Sequence, residues 1–325
     1  MMKRNIYIPF AAVALLAFLL PIQVRSPYYL GVLIQVGYYS LICMGLSLLM
    51  GYAGQISLGH AAFFGLGAYT SAILTGTYGM SPWLALLAGL VLAGCVAWVI
   101  GTPTLKLKGH YLAMATLGIG EIVYIFFNAE VELTGGPSGY TQKIPYLSIR
   151  GYIFNNELKQ YYLTWVLVLI ILILNLHIIN SRVGRALRSI HADEEVARAV
   201  GVNTARYKVM IFVLSAMYAA LAGSLYAHNI QFVAPGSFDA MYSILFVTMV
   251  IVGGMGSIWG AISGAALLTL LPEILRVFHD YNILVYGFIL LFIMLFMPGG
   301  IFGGYHMVWD IMNRMRTGKG KAKDD

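Results

Sequence analysis

The side chains of this chain that could do chemistry in an apolar environment begin with three polar residues beside a glycine-rich stretch. Gln55, Ser57 and His60 come just before or at the start of a run of small residues that includes Gly65 and extends to Leu74. In a membrane, an amide, a hydroxyl and an imidazole hydrogen-bond across helices, and glycines let helix backbones approach closely. Two interpretations stay open: these residues line a polar path, or they only hold helices together.

A carboxylate stands apart from this group. Glu121 lies within the apolar stretch 110–128, where a charged side chain costs about 2.5–3.5 kcal/mol on insertion scales and usually faces a cavity or a partner. The alternative is a neutral carboxyl group that hydrogen-bonds to a neighbouring helix. The candidate residues for a translocation path are Gln55, Ser57, His60, Gly65 and Glu121.

The segment 181–207 combines a run of arginines with the signals of a short, capped helix. Asp193 is a suitable N-cap residue. Glu194 and Glu195 then fall in the first turn, where the helix dipole favours anions. A helix of about seven residues, roughly 10 Å long, would end at Gly201, a residue typical of helix C-terminal stops.

The expected faces of this helix, Glu194–Val200, indicate a docking element. Val196, Ala199 and Val200 would share one face, and Arg198 would lie on another. A short rigid helix between two spans can seat in a groove of a partner protein. The alternative is a surface helix that lies on anionic lipid, which suits the arginine run but not the acidic cap. The candidate coupling residues are Asp193, Glu194, Glu195, Arg198 and Gly201.

No motif for catalysis or energy conversion occurs in the sequence. A phosphate-binding Gly-x-x-x-x-Gly-Lys-[Ser/Thr] loop and a His-Glu-x-x-His zinc motif are absent, and no Ser/His/Asp arrangement can be argued from spacing. We therefore expect no enzymatic activity and no cofactor in this chain. Uphill transport would need an ion gradient or a separate ATPase, and the scarcity of charge within the apolar stretches disfavours an ion-coupled relay.

The composition explains why these polar residues must lie on membrane helices. Of the 325 residues, 60% are hydrophobic and 10% are charged, against roughly 45–50% and 25% in soluble domains. So little charge excludes a soluble enzyme, a disordered chain and a disulfide scaffold. The net charge of +7 is explained by basic cytoplasmic loops and not by nucleic-acid binding. Cys43 and Cys95 are interpreted as small apolar residues.

Ten apolar stretches of helical length predict an all-α polytopic membrane protein. With the N-terminus inside, 15 of the 20 Lys and Arg residues fall in cytoplasmic segments, so the positive-inside rule predicts that both termini are cytoplasmic. The stretches lie at about 6–24, 30–50, 57–76, 82–101, 110–128, 161–180, 208–229, 241–255, 258–278 and 282–298.

Two glycine-rich turns suggest an internal repeat. Gly51–Ile56 and Gly253–Ile258 share a glycine-rich turn at an offset of 202 residues. Transporters carry such paired, glycine-interrupted segments, although glycine turns also recur by chance in membrane helices.

The expected organisation is a transmembrane domain at 1–308 with an external loop at 129–160 and a cytoplasmic loop at 181–207, followed by a basic cytoplasmic tail at 309–325.

Five segments carry a resemblance to a known family, namely Gly51–Leu74, Gly184–Ile190, Asp193–Asn203, Tyr207–Ala227 and Gly253–Gly260. They resemble the LivM-type permeases, the membrane subunits of ABC importers for branched-chain amino acids. The first matching segment is similar to the signature of that family, and the second and third are similar to its cytoplasmic coupling loop. The resemblance extends from about residue 30 to residue 300 and specifies no single substrate, since relatives are associated with leucine, isoleucine and valine and others with urea or short amides.

The resemblance implies a division of labour among several proteins. Two homologous permease subunits embedded in lipid, two cytoplasmic ATPases that hydrolyse ATP and an external, periplasmic binding protein would act together. Their location would be the plasma membrane of a bacterium, which is the inner membrane in a Gram-negative cell. The alternative is a channel or secondary carrier for a small polar solute such as urea or an amide, which would have no need for a capped docking helix.

Overall fold

Helices make up most of the described part of the chain, and the strands found there form one short hairpin. The computed structural model describes residues 7–23, 26–149, 151–276, 282–296 and 300–301, so the predicted tail at 309–325 lies outside the described residues. The hairpin pairs β1 (Ser148–Ile149) with β2 (Tyr152–Ile153). The helices are α1 (Tyr7–Gln23), α2 (Pro27–Leu46), α3 (His60–Gly76), α4 (Pro82–Thr104), α5 (His110–Ala129), α6 (Val131–Thr134), α7 (Glu157–Asn180), α8 (Arg182–Ala192), α9 (Glu194–Ala199), α10 (Thr204–Ile230), α11 (Ala240–Gly253), α12 (Ile258–Leu275) and α13 (Asn282–Phe296).

Seven helical segments of the described chain are long and apolar enough to cross a membrane. Three shorter apolar helices, α1, α3 and α13, coincide with the three remaining stretches that the sequence predicts. The prediction of an all-α polytopic membrane protein is therefore confirmed, while the count of ten spans and the orientation stay predictions. The seven segments are Pro27–Tyr52, Pro82–Thr104, His110–Ala129, Glu157–Asn180, Thr204–Ile230, Pro235–Gly253 and Ile258–Leu275.

The centre of the bundle is α10, which packs against α3, α4 and α2. Its contact with α3 depends on two glycines. A Cβ on Gly67 would overlap the backbone of Ala220, and a Cβ on Gly223 would overlap the carbonyl oxygen of Phe64. The two backbones therefore touch along a surface that admits no side chain at these positions, as small residues allow in membranes. We call this contact the α3–α10 seam.

The two glycine-rich turns that suggested a repeat lie against each other. A Cβ on Gly51 would overlap the backbone of Gly256, and the Ser47 hydroxyl donates to the carbonyl oxygen of Ser257 at 3.4 Å. Ser47 also begins the π-helix Ser47–Tyr52 in which α2 ends. The structure thus joins the end of α2 to the start of α12.

The segments 129–160 and 181–207 lie at opposite ends of α10. The backbone N–H of Tyr140 donates to the carbonyl oxygen of Val233, just beyond the C-terminal end of α10, at 2.8 Å. At the other end, the hydroxyl of Thr204 donates to a carboxylate of α9 at 3.2 Å. With 27 residues, α10 is about 40 Å long, more than the roughly 30 Å of a bilayer's hydrocarbon core. The two segments therefore lie at the two ends of the bundle, as the predicted threading requires.

Candidate functional site

The short helix α9 begins where the sequence predicts and ends within one residue of the expected position. The Asp193 carboxylate accepts hydrogen bonds from the backbone N–H groups of Glu195 at 2.8 Å and Val196 at 3.0 Å. These bonds satisfy two of the N–H groups that a helix start leaves free. The chain leaves the helix through Gly201, whose φ of +87° is one that glycine adopts readily.

Glu194 fastens α9 to the first turns of α10. Its carboxylate lies 2.6 Å from the Lys208 ammonium and 3.2 Å from the Arg198 guanidinium, and it accepts a hydrogen bond from the Thr204 hydroxyl at 3.2 Å. Lys208 is buried, with 3% of its side chain exposed, so it requires a carboxylate partner. Partial burial acts to raise the pKa of the Glu194 carboxyl group, but the hydrogen bond and the charge of Lys208 outweigh burial and hold that pKa below its ordinary value.

This network changes the role expected for Glu194. The sequence predicts both Glu194 and Glu195 as coupling residues, but 15% of the Glu194 side chain is exposed against 82% for Glu195. Glu194 is engaged within its own chain because it neutralises Lys208. The signal that sequence reasoning missed is Lys208 itself, a lysine four residues into a long apolar helix, where burial of the charge requires a partner in the fold.

The face of α9 that turns away from the protein is apolar. Val196 and Val200 are 60% and 73% exposed, and Ala199 is exposed beside them. Glu195 borders this face and pairs with a lysine of the α4–α5 loop at 3.3 Å, but a largely exposed ion pair of this kind contributes little. Contiguous exposed apolar residues with a charged margin are typical of a protein-docking surface. We call Val196, Ala199 and Val200 the docking face.

The preceding helix, α8, connects α9 to the glycine turn that leads into α3. Leu187 and Ile190 of α8 are buried in the bundle. At its C-terminal end His191 lies against Gly54, where an added Cβ would be 3.1 Å from the imidazole Nδ1. Gly54 belongs to the turn between the π-helix and α3. A displacement of α8 and α9 would therefore reach the start of α3 directly.

Three of the predicted path residues are hydrogen-bonded inside the bundle. The Ser57 hydroxyl lies 3.1 Å from Nδ1 of His60, and Nε2 of His60 lies 2.7 Å from the hydroxyl of Ser215 on α10. Gln55 donates to the carbonyl oxygen of Ala53 at 3.0 Å. All of these side chains are buried. Gln55 and Ser57 bond to residues close by in the sequence. The bond between His60 and Ser215 joins α3 to α10, so it favours the interpretation that His60 holds helices together.

A second polar cluster lies further along the same two helices, and sequence reasoning missed it. The Ser71 hydroxyl lies 2.7 Å from that of Ser224 and 3.0 Å from Nε2 of His228. The other ring nitrogen of His228 lies 2.7 Å from the carbonyl oxygen of Pro145. The available signal was spacing, since Ser71 follows His60 by eleven residues. That interval is about three helical turns, which places both on one face of α3.

The predicted path residue Gly65 is buried among aromatic rings. A Cβ there would lie 2.6 Å from the ring of Phe127 on α5 and 2.9 Å from that of Phe238, which ends the short 3₁₀ helix Pro235–Phe238. The ring of Tyr69 packs on Phe127 with centroids 4.4 Å apart. The absence of a side chain at Gly65 therefore lets α3 approach α5 and this aromatic cluster.

Glu121 differs from the other path candidates because it lies on the outer surface of the bundle. It is exposed on α5, between the exposed apolar side chains of Met114, Ile122 and Ile125. Within the described part of the chain its carboxylate has no salt bridge and no hydrogen bond. Hydrocarbon disfavours a carboxylate on a helix of spanning length, and such residues usually face another protein or a water-filled cavity.

Comparison with known proteins identifies the family. Residues 28–297 match the family model described as branched-chain amino acid transport system, permease component. The chain is similar to the high-affinity branched-chain amino acid transport system permease protein LivM of Salmonella typhimurium, with 33% identity over 81% of this chain and 67% of the relative. It is similar to LivM of Escherichia coli K12, with 32% identity over the same shares.

The second type of permease in these systems is also similar to the chain. LivH of Salmonella typhimurium is 27% identical over 82% of this chain and 91% of the relative. No solved structure matches the chain. The family model covers most of the sequence, including the docking face, the α3–α10 seam and α5. The chain therefore belongs to the permease family of branched-chain amino acid transport systems and is a membrane permease subunit of an ABC importer, not an enzyme.

Proposed function

We propose that this permease subunit imports leucine, isoleucine and valine into a bacterial cell as one of two homologous permeases. Its relatives at 32–33% identity are named for branched-chain amino acid transport. Similarity to both LivM and LivH indicates a second permease subunit beside it. The observation that carries the proposal is the docking face of α9, because a self-sufficient channel or carrier for urea or an amide has no need for one.

The proposed topology has ten spans, with both termini in the cytoplasm of the bacterium and, in a Gram-negative cell, the inner membrane around them. Ten apolar helices coincide with the ten predicted stretches. The position of 129–160 and 181–207 at opposite ends of α10 supports an external loop and a cytoplasmic loop. The permease domain then occupies 1–308, and an external binding protein delivers the substrate on the side of 129–160.

Transport is driven by ATP hydrolysis in separate subunits that act on the cytoplasmic loop 181–207, so the chain itself requires no cofactor. Two ATPase subunits hydrolyse ATP and contact the docking face. Asp193 and Gly201 fix the two ends of α9, and Glu194 fixes its position on α10. Glu195 and Arg198 remain at the margin of the docking face, where both are exposed. A movement of the ATPases then reaches α3 through α8 and Gly54.

The proposed path runs along the exposed face of α5, between the two permeases. Glu121 supports this placement, since an unpaired carboxylate with apolar neighbours is stable beside water or polar protein groups and not beside lipid. His60 and Gly65 set the packing of α3 against α10 and α5. Gln55 and Ser57 lie in the turn that leads into α3, so all four candidates act on the path through the position of α3. Gly59 is close to the same contact, where a Cβ would lie 2.6 Å from the carbonyl oxygen of Thr116 on α5.

A charge on the docking face tests the coupling role. Val200→Glu should fold normally because Val200 is 73% exposed, but a carboxylate in an apolar contact should abolish ATP-driven leucine uptake and co-purification of the ATPase subunits. The matched control is Val131→Glu, a residue 63% exposed at the opposite end of the bundle, which should keep the ATPase bound. Full uptake and full ATPase association in Val200→Glu would show that α9 is not the coupling element.

The substrate is tested separately from the coupling. Cells that carry or lack the gene are compared for uptake of labelled leucine, urea and acetamide, in the presence and absence of the ATPase subunits. We expect leucine uptake that disappears without the ATPase. Urea or acetamide uptake that persists without the ATPase would support the channel alternative instead.

A further inference from the structure

A cleft of about 760 Å³ opens between α4 and α10, at the end of the bundle that carries α9. One of the described residues that line it, Glu194, is acidic. Glu195, just outside the cleft, pairs with Lys108 at 3.3 Å. Two carboxylates do not neutralise five cations, so the cleft keeps an excess of positive charge and attracts an anion. The basic residues that line it are Lys106, Lys108, Arg198, Arg206 and Lys208.

Two of these cations are available to a ligand. Lys208 and Arg198 are held by Glu194 at 2.6 Å and 3.2 Å. Lys106 and Arg206 are exposed, and in the region that the structure describes their side chains make no ion pair and no hydrogen bond. Lys106 lies just after α4, and Arg206 lies in the first turn of α10. The cleft therefore presents two free cations from its two principal helices.

Apart from Thr102, the rest of the cleft wall is apolar, and it continues along α4. Trp98 and Met210 line the cleft and are 62% and 41% exposed. On the half of α4 next to the cleft, Leu92, Cys95 and Val99 are exposed at helical spacing. No charged residue occurs anywhere in α4. An exposed apolar stripe without charge on a spanning helix is a lipid-facing surface, so the cleft joins a cationic mouth to the hydrocarbon.

We propose that this cleft binds an anionic phospholipid of the cytoplasmic leaflet, with the phosphate between Lys106 and Arg206 and the acyl chains along the exposed stripe of α4. The assignment rests on the proposed orientation, which places the α9 end of the bundle in the cytoplasm. A soluble phosphate compound would balance the cations but leave Trp98 and Met210 facing a gap. A phospholipid matches both parts of the cleft, since its phosphate contacts the cations and its acyl chains contact the apolar residues. Basic pockets between membrane helices are suited to lipid headgroups.

The bound lipid would also hold α9 in position. Arg198 and Lys208 share one carboxylate, that of Glu194, and both line the cleft. A phosphate in the cleft supplies further acceptors for the surrounding cations, so that Glu194 stays with the buried Lys208. The contact between α9 and α10 is thereby strengthened by the lipid headgroup. The docking face thus becomes sensitive to the anionic lipid content of the membrane.

Native mass spectrometry of the full chain, with the subunits that co-purify with it, tests the lipid site. The sample is titrated in detergent with phosphatidylglycerol or with phosphatidylcholine. We expect one saturable site for phosphatidylglycerol and weaker binding of phosphatidylcholine. Lys106→Gln with Arg206→Gln should weaken phosphatidylglycerol binding about 30-fold, since each basic side chain near an anionic lipid contributes about fivefold.

The control is Arg182→Gln with Arg185→Gln, two exposed arginines of α8 that do not line the cleft. It should leave lipid affinity unchanged, and an equal loss in the control would overturn the site in favour of general surface charge. Equal affinity for the two lipids would also overturn it. Loss of ATPase binding in the cleft variant, with lipid affinity unchanged, would assign the cleft to the ATPase. A complex that binds lipid as expected but does not import leucine would contradict the proposed substrate and leave the lipid site intact.

Discussion

The α3–α10 seam and the outer face of α5 both carry glycines and polar side chains on membrane helices. In the seam these residues contact the same chain, whereas on α5 they are exposed. In the seam, glycines bring two backbones into contact, and His60 and Ser71 find their partners on α10. On α5, Gly118 has open space around it and Glu121 is exposed. A polar or small residue in a span therefore indicates a contact, and the fold decides whether that contact lies inside the chain or with another molecule.

The strongest test of this contrast is a glycine replacement in each region. Gly223→Leu places a side chain into the carbonyl group of Phe64, and backbone on both sides leaves no room to relax. We expect little folded protein, measured as loss of the monodisperse peak in fluorescence-detected size-exclusion chromatography. Gly118→Leu should fold normally, since nothing lies within 4 Å of its Cβ position, but should weaken co-purification with the second permease.

Three outcomes would contradict the contrast between the α3–α10 seam and the outer face of α5. A monodisperse peak for Gly223→Leu would show that the seam can open without loss of the fold. Misfolding of Gly118→Leu in the absence of the second permease would show that the outer face of α5 is covered by its own chain. Normal pairing of Gly118→Leu would move the subunit contact away from this part of α5.

The same contrast recurs within α9, where Glu194 is engaged inside the chain and Glu195 is exposed. Glu194→Gln leaves the buried Lys208 ammonium without a carboxylate, which should destabilise the attachment of α9 by on the order of 3 kcal/mol. We expect much faster proteolysis within 181–207 and loss of coupled uptake. Glu195→Gln is the matched control and should leave the proteolysis rate unchanged, because its ion pair is largely exposed. Equal proteolysis of the two variants would show that Glu194 does not hold α9 on α10.

The carboxylate of α5 tests the other side of the comparison. Glu121→Gln should leave folding intact because Glu121 has no partner among the described residues. Leucine uptake should fall about tenfold, equivalent to about 1.4 kcal/mol of lost interaction along the path. The control is Glu157→Gln, an exposed carboxylate in the first turn of α7. Unchanged uptake by Glu121→Gln with normal expression would remove Glu121 from the path.

How much of this could be read from the sequence depends on how local each signal is. The ten apolar helices and the cap of α9 by Asp193 were predictable because hydrophobic length and capping depend on neighbouring residues. The partnership of Glu194 with Lys208 was not, because it joins residues 14 positions apart through the fold. The separation of His60 from Glu121 was also not predictable. Both are polar residues in apolar stretches, and the rotation of each helix decides which one faces α10 and which one faces outward.

The smallest expected effect comes from the hydrogen bonds of the seam. Ser71→Ala removes a hydroxyl that contacts Ser224 and His228, and interhelical hydrogen bonds of this kind contribute about 0.6 kcal/mol in membranes, with a maximum near 1.7. The thermal midpoint in detergent should fall slightly, and uptake by the folded protein should be unchanged. The control is Ser263→Ala, whose hydroxyl donates within its own helix to Gly260 at 3.0 Å, so no contact between helices is lost. If Ser71→Ala instead lost uptake at an unchanged midpoint, the seam would be part of the path, and the distinction between an internal seam and an outward-facing α5 would fail.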